Sequence, residues 1–347
     1  MMRRLAMNWR HDGISRLGAS GLTVSQICLG AMMFGEHTAA AEAARIVKSA
    51  FDAGVNFVDT ADTYGDGESE RIVGGLIAKQ RERWVLATKF ANKIVADDPN
   101  SGGAGRKWML QAVAGSLKRL NTDYIDVYYL HRDDRDTPLE EPLGTMADLI
   151  HSGKVRYFGL SNFQGWRIAE VVDQCRRMGV PQPIVLQPYY NALYRVAEVE
   201  QFPACQHYGL GIAPYSPLAR GVLTGKYVPG KPPPAGSRAG RKEPRFMETE
   251  FRKESLEIAQ RIRRHAEKKG MKPVHFALNW VLNNALVASV LAGPRTYGQW
   301  REYLAALDCE FDAEDEMLVD RLVARGHPST PGYTDPKHPV SGRISRC

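Results

Sequence analysis

The sequence predicts a single-domain α/β protein folded as a (β/α)8 TIM barrel, with one extended loop and an irregular C-terminal tail. Eight short apolar runs rich in Val, Ile, Leu and Tyr carry the argument, at 24–30, 55–59, 84–89, 124–131, 155–161, 183–187, 210–215 and 287–293. Each is followed by a stretch of helical period, for example 39–54 and 166–179. Near-continuous apolar strands between amphipathic helices indicate a parallel sheet covered on its outer side. No composition shift divides the 347 residues into two domains. Eight strand–helix units in one chain of this size point to a closed barrel.

The rival architecture is a doubly wound sheet with a second domain. It would carry GxGxxG after the first strand. Here that segment reads GAMMFG, with glycine only at Gly30 and Gly35. A P-loop fails as well, because GVLTGKY has three residues between its glycines and ends in Tyr227. Two helices, near 251–268 and 274–284, separate the seventh and eighth strands. The boundaries are an N-terminal extension over 1–13, the barrel over 14–325 and a tail over 326–347. The tail holds Pro328, Pro331, Pro336 and Pro339 without periodicity, and is expected to fold back over the barrel mouth. The stretch 229–244, PGKPPPAGSRAGRKEP, reads as a surface loop.

Composition is that of an ordinary globular chain, 44% hydrophobic and 24% charged, with a net charge of +7. The charge is local. Arg3, Arg4, Arg10 and Arg16 stand against Asp12 in the first segment. Arg220, Lys226, Lys231, Arg238, Arg241, Lys242 and Arg245 stand against Glu243 in the second, so the remaining chain is nearly neutral. A nucleic-acid binder would spread such charge along a face with reading elements; a cationic loop suits a small anionic ligand. No apolar run reaches the ~20 residues of a membrane helix, and no apolar stretch follows the basic start as a secretory signal requires. The expectation is a cytoplasmic protein with a small-molecule partner and neither nucleic acid nor membrane. Cys28, Cys175, Cys205, Cys309 and Cys347 are too widely spaced for a zinc site or a disulfide framework. They are expected as reduced thiols, and no metal site is read.

Reactive groups in such a barrel come from the C-terminal ends of the strands. The polar residues there are Asp59, Lys89, His131, Ser161 with Asn162, Gln187, and Tyr215 with Ser216, each about one β/α unit apart. Any one alone has an ordinary structural explanation; their regular spacing raises the signal. Asp59, Tyr64, Lys89 and His131 make chemical sense together. An ammonium beside a phenol favours the phenolate and lowers its pKa, and a carboxylate holds that ammonium in place. His131 is placed to hydrogen-bond a carbonyl oxygen. The set reads as an acid that protonates a developing alkoxide, with a hydride supplied by a nicotinamide cofactor. It has no nucleophile or paired carboxylates, which disfavours hydrolysis.

With these residues in view, the chain resembles the aldo-keto reductases from about residue 14 to about residue 308. The carrying motifs are RLGASGLTVSQICLGAMMFG, VNFVDTADTYGDGESERIVG, LATKF, YYLHRDD, GKVRYFGLSNF, VLQPYYN, YSPLARGVLTGKY and AGPRTYGQWRE. Their style is closer to the bacterial enzymes and the potassium-channel β-subunit branch than to aldose reductase. The resemblance implies a barrel that binds NADP(H) without a Rossmann domain, a loop covering that cofactor, and Tyr64 as general acid in a tetrad with Asp59, Lys89 and His131. It implies that Ser161, Asn162 and Gln187 bind the nicotinamide carboxamide, that Tyr215 stacks on the ring, and that Gly30 and Met32 line the same groove. The stretch from Ser216 through Pro217, Leu218, Arg220 and Gly221 to Lys226 would follow the pyrophosphate. Gly293, Arg295, Thr296 and Gln299 would serve the adenosine-phosphate end, with Glu302 on adenine. Tyr303 departs from the family's usual Asn, and ring stacking would replace the lost amide contact.

Substrate cues are thinner. Tyr64, His131 and Arg132 would touch the substrate. Asp62, Asp133 and Asp134, with Trp108 and Trp166, sit near the mouth in sequence. Facing the pocket, these charges suit a polar or sugar-like aldehyde or ketone; as a solvated rim they say nothing. The oligomeric state stays open. The alternative to an enzyme is a redox-sensing regulatory subunit that binds the cofactor with little turnover.

Overall fold

The structure, a computed structural model, describes residues 13–338. The N-terminal extension up to residue 12 and the tail beyond 338, including Cys347, lie outside the described residues.

A short antiparallel hairpin, β1 (Ile14–Arg16) with β2 (Thr23–Ser25), precedes the barrel. The run expected as one strand over 24–30 is therefore divided. Its first part belongs to the hairpin and its second forms the barrel strand β3 (Ile27–Gly30). Leu17 and Val24 from the hairpin region join the cluster inside the barrel. The other barrel strands are β4 (Phe57–Asp59), β5 (Val85–Phe90), β6 (Ile125–Leu130), β7 (Val155–Ser161), β8 (Val185–Gln187), β9 (Gly211–Ile212) and β10 (Val290–Ala292). They pair in parallel in the order β10-β3-β4-β5-β6-β7-β8-β9. Ala288 N donates to Ile212 O at 2.7 Å and Leu291 N to Pro214 O at 3.0 Å, which joins the two ends of the sheet.

The helices α1 (Ala40–Asp52), α2 (Glu68–Ile77), α3 (Arg106–Leu120), α4 (Glu140–His151), α5 (Gly165–Met178) and α6 (Gln201–Tyr208) alternate with the strands. α7 (Pro244–Thr249), α8 (Lys253–Lys268) and α9 (Pro273–Leu282) follow β9, and α10 (Tyr297–Ala305) and α11 (Ala313–Leu322) follow β10. No helix among the described residues is long and apolar enough to cross a membrane.

Strand parity positions the site. Successive side chains of a strand point to opposite faces. Phe57, Ala87, Tyr129, Val185 and Ala213 pack inside the barrel, while Val58, Leu86, Tyr128, Leu186 and Ile212 pack outward with the helices. Two residues beyond each interior position, the same parity delivers Asp59, Lys89, His131, Gln187 and Tyr215 to the C-terminal mouth. Ser161 follows Gly159 by the same rule. Gly159 has no side chain because Tyr129 fills its place: a Cβ there would meet the Tyr129 ring at 2.5 Å and Val185 at 2.6 Å. The interior layer is thus filled directly beneath the polar groups.

The tail is irregular but packed as far as it is described. Arg195 N donates to His327 O at 3.1 Å and Ser329 N to Leu193 O at 2.8 Å. Arg245 donates to Asp335 at 2.5 Å, and the Arg252 guanidinium lies 3.8 Å from the Tyr333 ring centroid. Over 327–335 the tail thus packs against the segment after β8 and against the α7–α8 region.

Gly159→Ala is expected to destabilise the protein by about 1–3 kcal/mol through overpacking. Gly75, exposed within α2 with nothing within 4 Å of its Cβ position, is the control. Gly75→Ala is expected to stabilise by about 0.5–1 kcal/mol. Urea unfolding of the two variants checks the opposite signs.

Candidate active site

The chain brings Asp59, Tyr64, Lys89 and His131 together at the mouth. Lys89 is 0% exposed and Asp59 2%, and the ammonium donates to the Asp59 carboxylate. It also donates to Thr60 O at 2.8 Å and to the Tyr64 hydroxyl at 3.2 Å, so all three ammonium protons have acceptors. Burial works against the ammonium, but Asp59 and Tyr64 outweigh it and hold its pKa above the ordinary lysine value. Gln187 Nε2 donates to the second Asp59 oxygen at 2.9 Å. Even so, burial leaves the Asp59 pKa above the usual carboxylate value, against the opposing pull of Lys89.

Tyr64 corrects one expectation. Its pKa is raised, because burial exceeds the lowering effect of Lys89 and Asp59 adds to burial. The ammonium does pull toward the phenolate, as expected, but burial outweighs that pull and the Asp59 charge opposes it. The phenol therefore stays protonated. Because its oxygen accepts from Lys89, its own proton is free to point elsewhere.

His131 lies edge-on to Tyr64, with ring centroids 5.9 Å apart and planes at 83°. Burial, with a smaller effect from the Lys89 charge, pushes its pKa down to about 3. The ring is neutral at working pH. Asn92, which the sequence reading missed, lies with its amide nitrogen 3.0 Å from His131 Nδ1.

The expected nicotinamide residues gather beside this group. Tyr215 OH donates to Asn162 Oδ1 at 2.9 Å, and Asn162 Nδ2 donates to His131 O at 2.9 Å. Ser161 Oγ donates to Gln187 O at 2.9 Å. The following segment is backbone-strained: Ser216, Ala219 and Arg220 have φ of 58°, 46° and 49°, and Gly221 has 100°. Left-handed non-glycine residues carry strain that clusters at ligand sites. Arg220 is directed to Glu250, at 3.6 Å. Met32 is exposed, and with Met33, Glu36 and His37 it faces Arg238, Arg241 and Glu243 of the basic loop across a cavity of about 410 Å³. Burial lowers the Lys226 pKa, and the charges of Arg295, Arg238 and Arg241 lower it further. Lys226 thus lies within electrostatic reach of three guanidiniums from two other parts of the chain.

The residues expected at an adenosine end are arranged differently from expectation in two respects. Thr296 is the N-cap of α10, accepting from Gln299 N at 3.2 Å, while Gln299 Oε1 accepts from Arg295 N at 2.8 Å. The first helical N–H, of Tyr297, is not open to a phosphate, because it donates to Glu42 at 2.7 Å. Tyr303 is turned inward, 8% exposed and packed in the core, rather than standing free for stacking. Glu302 pairs with Lys272 at 2.9 Å and lies 3.3 Å from His275 Nε2. Gly30 is buried against Gly293, whose Cα lies 3.4 Å from its Cβ position.

The charged rim also differs. Asp133 pairs with Arg135 and Arg167, both at 3.0 Å. Asp134 accepts from Ala104 N at 2.6 Å and from Thr137 Oγ1 at 2.8 Å, pinning its own loop. Trp108 is half-buried, while Trp166 is exposed beneath the Arg135 guanidinium. Of the charged residues expected at the mouth, Arg132 is the one that stands exposed. Asp62 is 3% exposed, and its carboxylate has no side-chain partner among the described residues, with only the Thr63 backbone N–H at hand. Burial and then repulsion from Glu70 push its pKa up to about 7. Glu70 itself accepts from Thr88 Oγ1 and Arg119 Nε, both at 2.6 Å. These carboxylates are structural features that periodicity does not separate from a solvated rim.

Comparison with known proteins agrees with this geometry. The aldo/keto reductase family model matches residues 26–324, and the chain belongs to that family. It is 36% identical to an uncharacterized oxidoreductase, YrpG, of Bacillus subtilis (strain 168), over 91% of this chain and 98% of that protein. It is 36% identical to a probable voltage-gated potassium channel subunit beta of Oryza sativa subsp. japonica, over 84% of this chain and 90% of that one. It is 32% identical to the L-glyceraldehyde 3-phosphate reductase of Escherichia coli (strain K12), over 89% and 92%. Fold and family define a barrel oxidoreductase.

Asp62 generates a pH test. Its folded pKa of about 7 lies above the unfolded value of about 3.9, so the folded state holds this proton more tightly. That stabilisation is full below about pH 4 and is lost as pH rises through about 7. Asp62→Asn is expected to be more stable than wild type at about pH 8, by roughly 2–4 kcal/mol, with the gain vanishing near pH 4. Thermal unfolding at the two pH values checks it; a gain independent of pH would assign the effect to something other than this proton.

Proposed function

We propose that this protein is an NADP(H)-dependent reductase of a small polar aldehyde or ketone. The observation that carries the reading is the buried Asp59–Lys89 pair donating to the Tyr64 hydroxyl. That arrangement supplies a protonated phenol with a cation at its oxygen, which is what a developing alkoxide requires. The neutral His131 ring supplies a hydrogen-bonding group beside it. A reduced nicotinamide, when bound, would supply the hydride. Ser161, Asn162, Gln187 and Tyr215 would hold its ring end. The strained stretch 216–221 and Lys226 would hold the pyrophosphate, with Arg238 and Arg241 above it. These residues fit an anionic dinucleotide in donor chemistry and charge. Arg295 would take the 2′-phosphate, since a guanidinium makes bidentate contacts to phosphate oxygens. The polar substrate class draws on the relative named for L-glyceraldehyde 3-phosphate and on the exposed Arg132 at the mouth. The protein acts in this reading as a cytoplasmic enzyme, with no nucleic-acid or membrane partner.

A second reading draws on the relatives named as voltage-gated potassium channel β subunits. In it the protein binds the same cofactor and regulates a partner, with little turnover. Steady-state NADPH oxidation across a panel of small aldehydes and sugar-derived carbonyls separates the two.

Tyr64→Phe is expected to lower carbonyl reduction at least about 100-fold. NADPH affinity and melting temperature should stay near wild type, and near-normal turnover would refute the assignment of the acid.

Arg295→Ala is expected to weaken NADPH binding roughly 10- to 150-fold, the equivalent of about 1.5–3 kcal/mol for a charge-assisted pair. NADH binding should barely change, and the discrimination should shrink as ionic strength rises. Fluorescence titration at low and high salt measures it; equal wild-type affinity for both cofactors would exclude the role given to Arg295.

A further inference from the structure

The loop after β5 contains an expensive piece of backbone that the reaction chemistry above does not use. Phe90 ends the strand, and its carbonyl accepts from His131 N at 2.9 Å. The next residue, Ala91, is 1% exposed and has φ of 92°. That is a left-handed conformation costly for any residue with a Cβ. It is held by Gly103 N, which donates to Ala91 O at 3.0 Å. Directly after this turn comes Asn92, whose Nδ2 lies 3.0 Å from His131 Nδ1. The strain sits where the chain must fold back from one strand end to the side chain of the next.

The consequence lies in the histidine. A neutral imidazole has one nitrogen that donates and one that accepts, and the hydrogen bond at one nitrogen decides the role of the other. With the Asn92 amide donating to Nδ1, the ring proton sits on Nε2. Only that tautomer can donate to a carbonyl oxygen; the other would set a lone pair against a lone pair. The groups facing the ring are Tyr64 edge-on, the Lys89 charge and the Asn92 amide. Asn162, from the end of β7, donates to the His131 backbone oxygen rather than to the ring.

We propose that Asn92 is a positioning residue that locks His131 in its Nε2–H tautomer, and that the left-handed turn at Ala91 serves to bring it there. The catalytic part of the proposal rests on the reductase reading; the tautomer does not.

The direct test is nitrogen NMR on full-length protein carrying 15N-labelled histidine, with the His131 signals assigned by their loss in His131→Gln. Wild type is expected to show protonated Nε2 and bare Nδ1, unchanged between about pH 5 and pH 8. Asn92→Leu should mix the tautomers or move the proton to Nδ1. It should lower kcat/KM at least about 10-fold, but by less than the roughly 1000-fold cost of removing an oxyanion donor outright. NADPH affinity should be unchanged. Asn92→Asp should accept from Nδ1–H and favour the imidazolium, so its activity should fall as pH rises through a new histidine titration that wild type lacks. Asn92→Ser, which keeps a donor, should recover part of the rate, and Ala91→Gly should keep both tautomer and rate. A wild-type ring protonated on Nδ1, or an Asn92→Leu variant with wild-type tautomer and kinetics, would overturn the proposal. Wild-type protein with the expected tautomer but no carbonyl turnover would instead refute the reductase reading and leave the role of Asn92 at the ring standing.

Discussion

The active end of this barrel depends on one buried ion pair. A lysine at 0% exposure is sustainable only if its charge is compensated and its donors are satisfied. Asp59 provides the charge, and Thr60 O and Tyr64 OH complete the donor set. Parallel pairing of β4 with β5 sets Asp59 opposite Ala87, one interior position before Lys89. Gln187 reaches from β8 to brace the other carboxylate oxygen. Strand register, interior packing and the protonation state of Tyr64 therefore meet at a single contact. The pair also explains why the phenol stays an acid. Asp59 opposes the Lys89 charge at Tyr64, and burial, the largest influence, decides the direction of the shift.

Much of this was legible in the sequence because barrels encode it locally. Strand runs and helical periods recur in order, and all eight expected strands appear. Asp59, Lys89, His131, Ser161, Gln187 and Tyr215 were legible because each follows its strand at a regular interval. What escaped depends on tertiary context. Asn92 escaped because its placement needs a left-handed alanine, which no periodicity announces. Asp62 reads as a rim charge, yet it lies inside, beside the buried Glu70. Tyr303 reads by motif as a ring placed to stack on adenine, whereas α10 turns it into the core. The split of the first strand run was hidden because Ser25 and Ile27 are both buried, one in the hairpin and one in the barrel.

The mouth is walled by segments that lack regular structure but share anchors. α7 follows directly on the basic loop, and Arg245 at its start holds Asp335 of the tail. Glu250 accepts from Tyr189 OH at 2.6 Å and faces Arg220, which connects the end of β8 with the strained stretch after β9. Movement of the basic loop would be felt by the tail through these contacts. None of these anchors touches the Asp59–Lys89 pair, so the wall of the mouth is held independently of it.

The central claim is tested most directly by a double-mutant cycle on that pair, with Asp59→Asn, Lys89→Met and the combined variant unfolded in urea. Each single change should cost about 3–5 kcal/mol by leaving a buried charge uncompensated. The combined variant should be no less stable than the worse single, giving a coupling well above the ~0.5 kcal/mol expected of independent sites. Additive losses would contradict the account, because they would mean that the two charges do not depend on each other.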